Sequence, residues 1–284
     1  MFQFDFKEWI ARGGFGDVYR AVRRDTGQDV AVKVLRDFSN PDCRRRFERE
    51  VRTLEALIGK PGIVPILGYN LKAEPPFYVM PLMKGGTLAT RAGKLEHSVV
   101  RSLLRQFADV LQHIHDRGGL HRDFKPANVL VDGDGNLALG DFGLGNDPRC
   151  TVILTAHACG TPGYMAPELF QPFGAASKAS DVYALGATIF ELLTGVNPAQ
   201  AKNLDPWNYN KGIAEDLRNM VLHMIQPRPH ARPTTNLLLS WLGPSTPATP
   251  TRVPIEWTGW QVLGGALAAA ALVFGVVALA KGDS

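Results

Sequence analysis

The chain has 284 residues, a formal net charge of +4 and 45% hydrophobic residues. This composition excludes a disordered chain, and the mild positive charge follows no single block, so we expect no nucleic-acid partner. None of the three cysteines belongs to a C-x-x-C pair, which argues against a disulfide framework and is typical of a reducing compartment.

The first eighty or so residues are predicted to be mainly β-strands. Residues 18–22 and 30–35 are rich in β-branched and apolar side chains, and an Asp-Thr-Gly turn separates them. A helix is predicted after Pro41, because apolar residues recur there at helical spacing until Gly59 ends the pattern. Residues 77–80 form a further predicted strand.

The chain then becomes helical. Residues 98–117 carry one apolar face, and residues 181–194 are apolar almost all round, which predicts a buried helix. Strands followed by helices indicate an α+β protein with two lobes. We predict one domain over residues 1–242, with an N-lobe at about 1–83 and a C-lobe at about 84–242.

The composition changes at about residue 243. Residues 243–258 are predicted to form a linker rich in proline, threonine and serine. An uncharged run at 262–280 is close to the roughly 20 residues that a bilayer core requires, so we predict a transmembrane helix over 259–280 and a short tail at 281–284. The alternative is a helix packed on a soluble core, but the run is apolar on every face.

Two features of the predicted N-lobe can hold phosphate. The G-G-F-G sequence at residues 13–16 lets backbone N–H groups approach phosphate oxygens, although alone it also fits an ordinary hairpin turn. Lys33 lies on a predicted strand, with Val32 and Val34 facing the other way. A lysine facing a cleft can hold ATP phosphates if an acid orients it, and Glu50 on the predicted helix is the candidate.

The sequence H-R-D-F-K-P-A-N at residues 121–128, followed by D-F-G at 141–143, carries the strongest signal. Phosphoryl transfer requires a carboxylate that orients the attacking hydroxyl and oxygen ligands that hold Mg²⁺ on the phosphates. Asp123, Asn128 and Asp141 have the right chemistry for these roles.

A short hairpin is predicted between these motifs, with strands at residues 129–131 and 137–139. A hairpin places its two flanking loops at one end, so Asn128 and Asp141 can converge on one metal ion. Its turn holds two aspartates, but the spacing favours a tight acidic turn over a calcium loop.

In this order and spacing, the motifs resemble the protein kinase signature set over residues 10 to about 233, and in particular the bacterial branch of serine/threonine kinases. The resemblance implies a two-lobed kinase fold, with a small β-rich N-lobe that holds one helix and a larger helical C-lobe. It implies ATP and Mg²⁺ (or Mn²⁺) as cofactors. By resemblance, the nucleotide-binding residues are Ile10, Ala11, Arg12, Gly13, Gly14, Phe15, Gly16, Val18, Ala31, Lys33, Met80 and Met83. The implied catalytic residues are Asp123, Lys125, Lys33 and Glu50, and the implied metal ligands are Asn128 and Asp141.

Further residues match the family's pattern. The resemblance places Glu168 at the end of the activation segment, Asp181 at the start of the buried helix, and Arg232 as the partner of Glu168. Lys125 and the G-T-P-G-Y sequence at 160–164 look like serine/threonine kinases, and by resemblance Thr161 contacts the catalytic loop.

Two positions depart from the pattern. Ala11 stands where the first glycine of the loop is usual, and its Cβ restricts the backbone. Pro81 stands where the family usually has an acid. Proline has no N–H to donate, so the adenine bonds are expected at Met83.

The resemblance implies an enzyme that moves the γ-phosphoryl group of ATP onto serine or threonine hydroxyls of a protein substrate. The alternatives are a pseudokinase scaffold or ATP-binding module with little transfer activity, and a small-molecule kinase. The filled positions Lys33, Asp123 and Asp141 favour the active enzyme, and the complete activation segment favours a protein substrate.

Regulation and location follow as expectations. Arg122 can pair with a phosphate on Thr151 or Thr155, so we expect autophosphorylation. Glycines in the apolar run offer small-residue surfaces for a homodimer that phosphorylates in trans. Because ATP is cytoplasmic, we expect the kinase domain in the cytoplasm and a single-pass membrane anchor behind it.

Overall fold

The computed structural model describes residues 3–141, 161–171, 174–243 and 252–253. The N-lobe elements are β1 (Phe4–Arg12), β2 (Gly16–Arg23), β3 (Asp29–Leu35), α1 (Pro41–Ala56), β4 (Gly68–Asn70) and β5 (Phe77–Pro81). The five strands form one antiparallel sheet in the order β1-β2-β3-β5-β4, and α1 packs beside it. The mainly β content predicted for this half is confirmed, and the two edge strands β1 and β4 are additions to the strands named from the sequence.

The C-lobe is mainly helical, with one small hairpin at its junction with the N-lobe. Its longer elements are α2 (His97–Asp116), β6 (Val129–Val131), β7 (Leu137–Leu139), α3 (Lys178–Thr194), α4 (Glu215–Met224) and α5 (Thr235–Trp241). Short 3₁₀ helices at Leu88–Arg91, Pro126–Asn128, Pro167–Phe170, Pro206–Asn208 and Pro229–Ala231 connect them. The predicted two-lobed α+β fold is therefore present.

Strand β3 separates two apolar clusters. Val32 and Val34 belong to a small cluster on one face of the sheet, whereas Ala31 and Leu35 belong to the main core. Because side chains alternate along a strand, Lys33 lies on the main-core face with Ala31. The predicted orientation of Lys33 is thus confirmed.

Helix α1 forms where the spacing of apolar residues predicts it. The Asn40 side chain caps its first turn by accepting from Asp42 N at 2.9 Å, and proline occupies the first helical position. Its buried face consists of Phe47, Glu50, Val51 and Leu54. Burying one large apolar side chain contributes about 1.5–3 kcal/mol, so this face fixes α1 against the sheet and with it the buried carboxylate.

Helix α3 is buried on nearly every side, as predicted. It begins about one turn before residue 181, because Ser177 N donates to Ser180 Oγ at 3.1 Å and stabilises the extra turn. The helix ends at Gly195, which adopts φ +72°.

The predicted hairpin is formed by β6 and β7, and an aspartate closes its turn. Asp132 Oδ1 accepts from Asp134 N at 2.8 Å and Asn136 N at 2.9 Å, and Oδ2 accepts from Asn136 Nδ2 at 2.8 Å. The Asp132 carboxylate therefore accepts hydrogen bonds from within its own turn, and this geometry matches the tight acidic turn that the sequence favours.

Arg252 and Val253, which the sequence places in the linker, lie against this turn. Within the residues that the structure covers, no helix combines the length and apolar character needed to cross a bilayer. The transmembrane helix predicted over 259–280 lies outside the described residues.

Candidate active site

A fully buried ion pair joins β3 to α1. Lys33 Nζ lies 2.6 Å from Glu50 Oε1, and the side chains are 4% and 0% exposed. Tyr78 donates from its hydroxyl to the same Glu50 oxygen at 3.0 Å, and Tyr78 stands opposite Lys33 in the β3–β5 ladder. Sheet and helix are thus held together by one carboxylate with two donors.

Asp141 extends this pair towards the C-lobe, because its Oδ1 lies 3.2 Å from Lys33 Nζ. Burial lowers the pKa of Lys33, but the charges of Asp141 and Glu50 outweigh burial and hold it well above its ordinary value. The Lys33 charge lowers the pKa of Asp141, and burial raises that of Glu50 against the opposing effect of Lys33. Lys33 therefore stays charged, and Asp141 stays an anionic oxygen donor.

Three side chains hold the carboxylate of Asp123. Lys125 Nζ donates to Oδ2 at 2.7 Å, Asn128 Nδ2 to Oδ2 at 3.0 Å, and Thr161 Oγ1 to Oδ1 at 2.9 Å. Lys125 Nζ also lies 2.5 Å from Thr161 Oγ1, so the predicted contact between Thr161 and the catalytic loop is present. Asp123 is consequently a fixed acceptor beside a fixed cation.

Asp181 at the start of α3 anchors the backbone of this loop. Its carboxylate is buried and accepts from His121 N at 2.9 Å and Arg122 N at 2.8 Å, and it contacts His115 Nε2 at 2.9 Å. Arg122 adopts φ +67°, which is uncommon for a residue with a side chain. The buried carboxylate stabilises this strained backbone directly before Asp123.

The predicted metal ligands Asn128 and Asp141 flank the β6–β7 hairpin, and Gly140 N donates to Asn128 O at 2.9 Å. An amide oxygen and a carboxylate are the hard oxygen donors that Mg²⁺ prefers, so these side chains fit that ion. Over the described ranges, 3–141, 161–171, 174–243 and 252–253, no group of three or more His, Cys, Asp or Glu residues forms a further metal site. A divalent metal ion held by these two side chains would neutralise phosphate charge.

The glycine-rich loop closes over Lys33. Gly13 N donates to Gly16 O at 2.8 Å, and a Cβ on Gly13 would lie 3.3 Å from the Lys33 side chain. A Cβ on Gly16 would lie 2.6 Å from Val34 O, whereas one on Gly14 would meet open space. The tight turn leaves its backbone above the lysine, a cradle that fits phosphate groups.

Other predicted nucleotide residues line the same face of the sheet. Val18 pairs with Lys33, and Ala31 pairs with Met80, so the four side chains point to one side. The remaining predicted residues differ in exposure. Ile10, Phe15 and Met83 are half-buried against the core, Ala11 pairs with Val18, and Arg12 is exposed with an ion pair to Asp17.

A second ion pair, formed by buried Arg232 and half-buried Glu168, ties the end of the activation segment to the C-lobe. Arg232 donates to both oxygens of Glu168 at 2.7 Å, and Ser180 Oγ donates to Glu168 Oε1 at 2.9 Å. Burial raises the pKa of Glu168, but these partners outweigh burial and lower it. The pairing of Glu168 with Arg232 is present as the resemblance implies.

Ion pairs and hydrogen bonds link the predicted catalytic and metal residues, from Glu50 through Lys33 to Asp141, and from Asn128 and Lys125 to Asp123. The structure adds Tyr78, whose role has no sequence signal because it lies inside an apolar strand. Several positions fall outside the described residues: Phe142, Gly143, Thr151, Thr155 and Gly160.

A two-lobed fold with this lysine–glutamate pair and this carboxylate loop is that of a protein kinase. The model of the protein kinase domain family matches residues 4–241, and the chain belongs to that family.

Curated relatives give the class. The chain is 36% identical over 255 residues to the DNA damage-responsive serine/threonine-protein kinase RqkA of Deinococcus radiodurans, covering 82% of this chain and 38% of that protein. It is 33% identical over 249 residues to CBL-interacting serine/threonine-protein kinase 21 of Arabidopsis thaliana, covering 82% and 58%. It is 41% identical over 197 residues to serine/threonine-protein kinase PknK of Mycobacterium bovis, covering 68% and 18%.

Each alignment thus spans less than two thirds of the relative's own length. The family predicted from the sequence is confirmed, and the class of enzyme, a serine/threonine protein kinase, is the class of these relatives.

Proposed function

We propose that the protein transfers the γ-phosphoryl group of ATP to serine or threonine hydroxyls of a protein substrate. The observation that carries this proposal is the Asp123 carboxylate, held at once by Lys125, Asn128 and Thr161, together with the intact Lys33–Glu50 pair. The fixed Asp123 carboxylate and the intact Lys33–Glu50 pair favour transfer over the alternative of a pseudokinase scaffold.

The residues divide the reaction between them. Asp123 accepts the proton of the substrate hydroxyl as its oxygen bonds to the γ-phosphorus, and the bond to the β,γ-bridging oxygen breaks to release ADP. Lys125 stabilises charge on the transferring group, and Lys33 holds the α- and β-phosphates as a point charge. Both cations are already in place, which lowers the cost of reorganisation.

Replacing Asp123 with asparagine tests the proposal. The amide cannot accept the hydroxyl proton, so we expect kcat to fall by about 10²–10⁴-fold while ATP binding persists. Phosphate transfer from γ-labelled ATP to a generic protein substrate gives the rate, and nucleotide titration gives the affinity. The matched control is Asp134→Asn, an exposed aspartate of the hairpin turn that should keep parental activity. Equal rates for Asp123→Asn and its parent contradict the role of Asp123.

We further propose that residues 262–280 anchor the kinase in a membrane, with the kinase domain in the cytoplasm. The run is uncharged, and two tryptophans precede it where an aromatic belt would lie. The full chain should remain in the membrane pellet through high salt and alkaline carbonate, whereas Leu272→Arg, which places a charge inside the run, should weaken its retention. Recovery of the parent as a monodisperse soluble species without detergent contradicts the anchor.

Autophosphorylation in trans is the third part of the proposal. Arg122 precedes Asp123, and an arginine there can pair with a phosphate on Thr151 or Thr155. Mass spectrometry after incubation with ATP should find phosphate between residues 147 and 159. The inactive Asp123→Asn chain, made larger by a fused tag, can be mixed with the parent and labelled ATP. Reaction in trans should label the tagged chain, whereas labelling of the parent alone would mean reaction in cis.

A further inference from the structure

Arg252 and Val253 form a short bridge to the turn between β6 and β7. Val253 N donates to Gly135 O at 3.0 Å, and Arg252 forms an isolated antiparallel bridge with Asn136. Arg252 Nε also donates to Asn136 Oδ1 at 3.3 Å. Val253 is 2% exposed and belongs to the main core. These two residues are therefore packed as part of the kinase domain, although they follow helix α5 in the chain.

The turn is shaped to receive them. Gly135 adopts φ +83°, and a Cβ there would approach Val253 O more closely than real Cβ atoms do. Asn136 bonds Asp132 with its amide nitrogen and accepts from Arg252 with its amide oxygen. One side chain thus closes the turn and holds the bridging segment.

The other end of the hairpin carries the predicted metal ligands. Asn128 directly precedes β6, and Asp141 lies two residues after β7. Each strand has three residues, so the turn is roughly 10 Å from the ligands along the strands. Gly140 N bonds Asn128 O at 2.9 Å and closes this end, so a shift of the hairpin moves both ligands together.

We propose that Arg252 and Val253 are positioning residues, which hold the β6–β7 hairpin and thereby set the geometry of Asn128 and Asp141 for the metal ion. This inference rests on the proposed function through the roles of these two ligands. Residues that orient metal ligands from outside their shell commonly change metal affinity by about 10–100-fold when they are removed.

The test uses the full chain with Val253→Asp and, because a buried charge could prevent folding, also Val253→Ala. Hydrogen exchange of residues 129–139, measured without nucleotide or metal, reports the hairpin directly. The Mg²⁺ concentration that gives half-maximal activity at saturating ATP reports how tightly Asn128 and Asp141 hold the metal ion. We expect faster hairpin exchange in both variants and an increase of about tenfold in that Mg²⁺ concentration, with kcat at saturating Mg²⁺ changed less than twofold.

The matched control is Val221→Ala, which shortens an equally buried valine on α4, away from the hairpin. It should lower the melting temperature as much as Val253→Ala but leave hairpin exchange and the Mg²⁺ requirement at parental values. The inference is overturned if Val253→Ala behaves like Val221→Ala in both measurements. If the parent itself transfers no phosphate, the proposed function fails, while hairpin exchange still decides whether residues 252 and 253 hold the hairpin.

Discussion

Replacing Lys33 with methionine removes the cation from a buried pair and keeps the length of the side chain. The variant loses Lys33 Nζ, which lies 2.6 Å from Glu50 Oε1. Glu50 is 0% exposed and keeps the Tyr78 hydroxyl as its hydrogen-bond donor. Because methionine fills the space of the lysine stem, the main effect is an uncompensated buried carboxylate and not a cavity.

The size of the effect follows from this geometry. Breaking a buried pair by removing one partner costs about 3–5 kcal/mol, and the Tyr78 hydrogen bond that survives favours the lower end. We therefore expect Lys33→Met to lower the free energy of unfolding by about 3 kcal/mol at pH 8. Burial already raises the pKa of Glu50, and loss of Lys33 removes the charge that opposes this shift.

The sign of the pH dependence is fixed by that raised pKa. A carboxyl whose pKa is higher in the folded state stabilises the fold below its unfolded pKa, and the stabilisation is lost as the pH rises through the folded pKa. The deficit of Lys33→Met should therefore shrink as the pH falls from 8 towards 5.5. Lys33→Met/Glu50→Gln, which removes both charges of the Lys33–Glu50 pair, should recover most of the lost stability at pH 8.

Urea unfolding without nucleotide measures the four proteins of this double-mutant cycle, with Glu50→Gln completing it. A coupling energy of about 2 kcal/mol or more at pH 8 is expected between the two positions. The reasoning is refuted if Lys33→Met costs less than about 0.5 kcal/mol and the cycle shows no coupling.

Three further predictions address the rest of the site. Arg232→Lys keeps the charge but loses the two-point contact with Glu168, so we expect a loss of about 2 kcal/mol by urea unfolding; an unchanged midpoint would contradict it. Burial lowers the pKa of His121, so stability should fall as the pH drops below about 6.5, and thermal melts from pH 7 to 5 should show a shallower fall for His121→Phe. Gly16→Ala forces the loop away from β3 and should raise KM for ATP about tenfold, whereas Gly14→Ala, with open space around its Cβ, should not; equal values for the two variants refute the argument.

Local patterns in the sequence determine most of the fold. The spacing of apolar residues predicts α1, α2 and α3, and the alternation around Lys33 predicts which way its side chain points. The start of α3 lies three residues before the predicted one, because the capping bond from Ser177 to Ser180 adds a turn that periodicity does not show. The catalytic residues can be identified without the structure, because their order and spacing in the sequence resemble those of one family.

Only the tertiary structure decides which residues support that set. Tyr78 reaches Glu50 because the β3–β5 register places it opposite Lys33, and register depends on long-range pairing that local sequence does not encode. The sequence predicts Val253 to be part of the linker, because a short segment after a proline-rich stretch has no periodicity that would indicate burial. In the structure the Val253 side chain is only 2% exposed and packs against the hairpin. The sequence thus determines the elements and the chemistry, whereas contacts between residues far apart in the chain hold that chemistry in place.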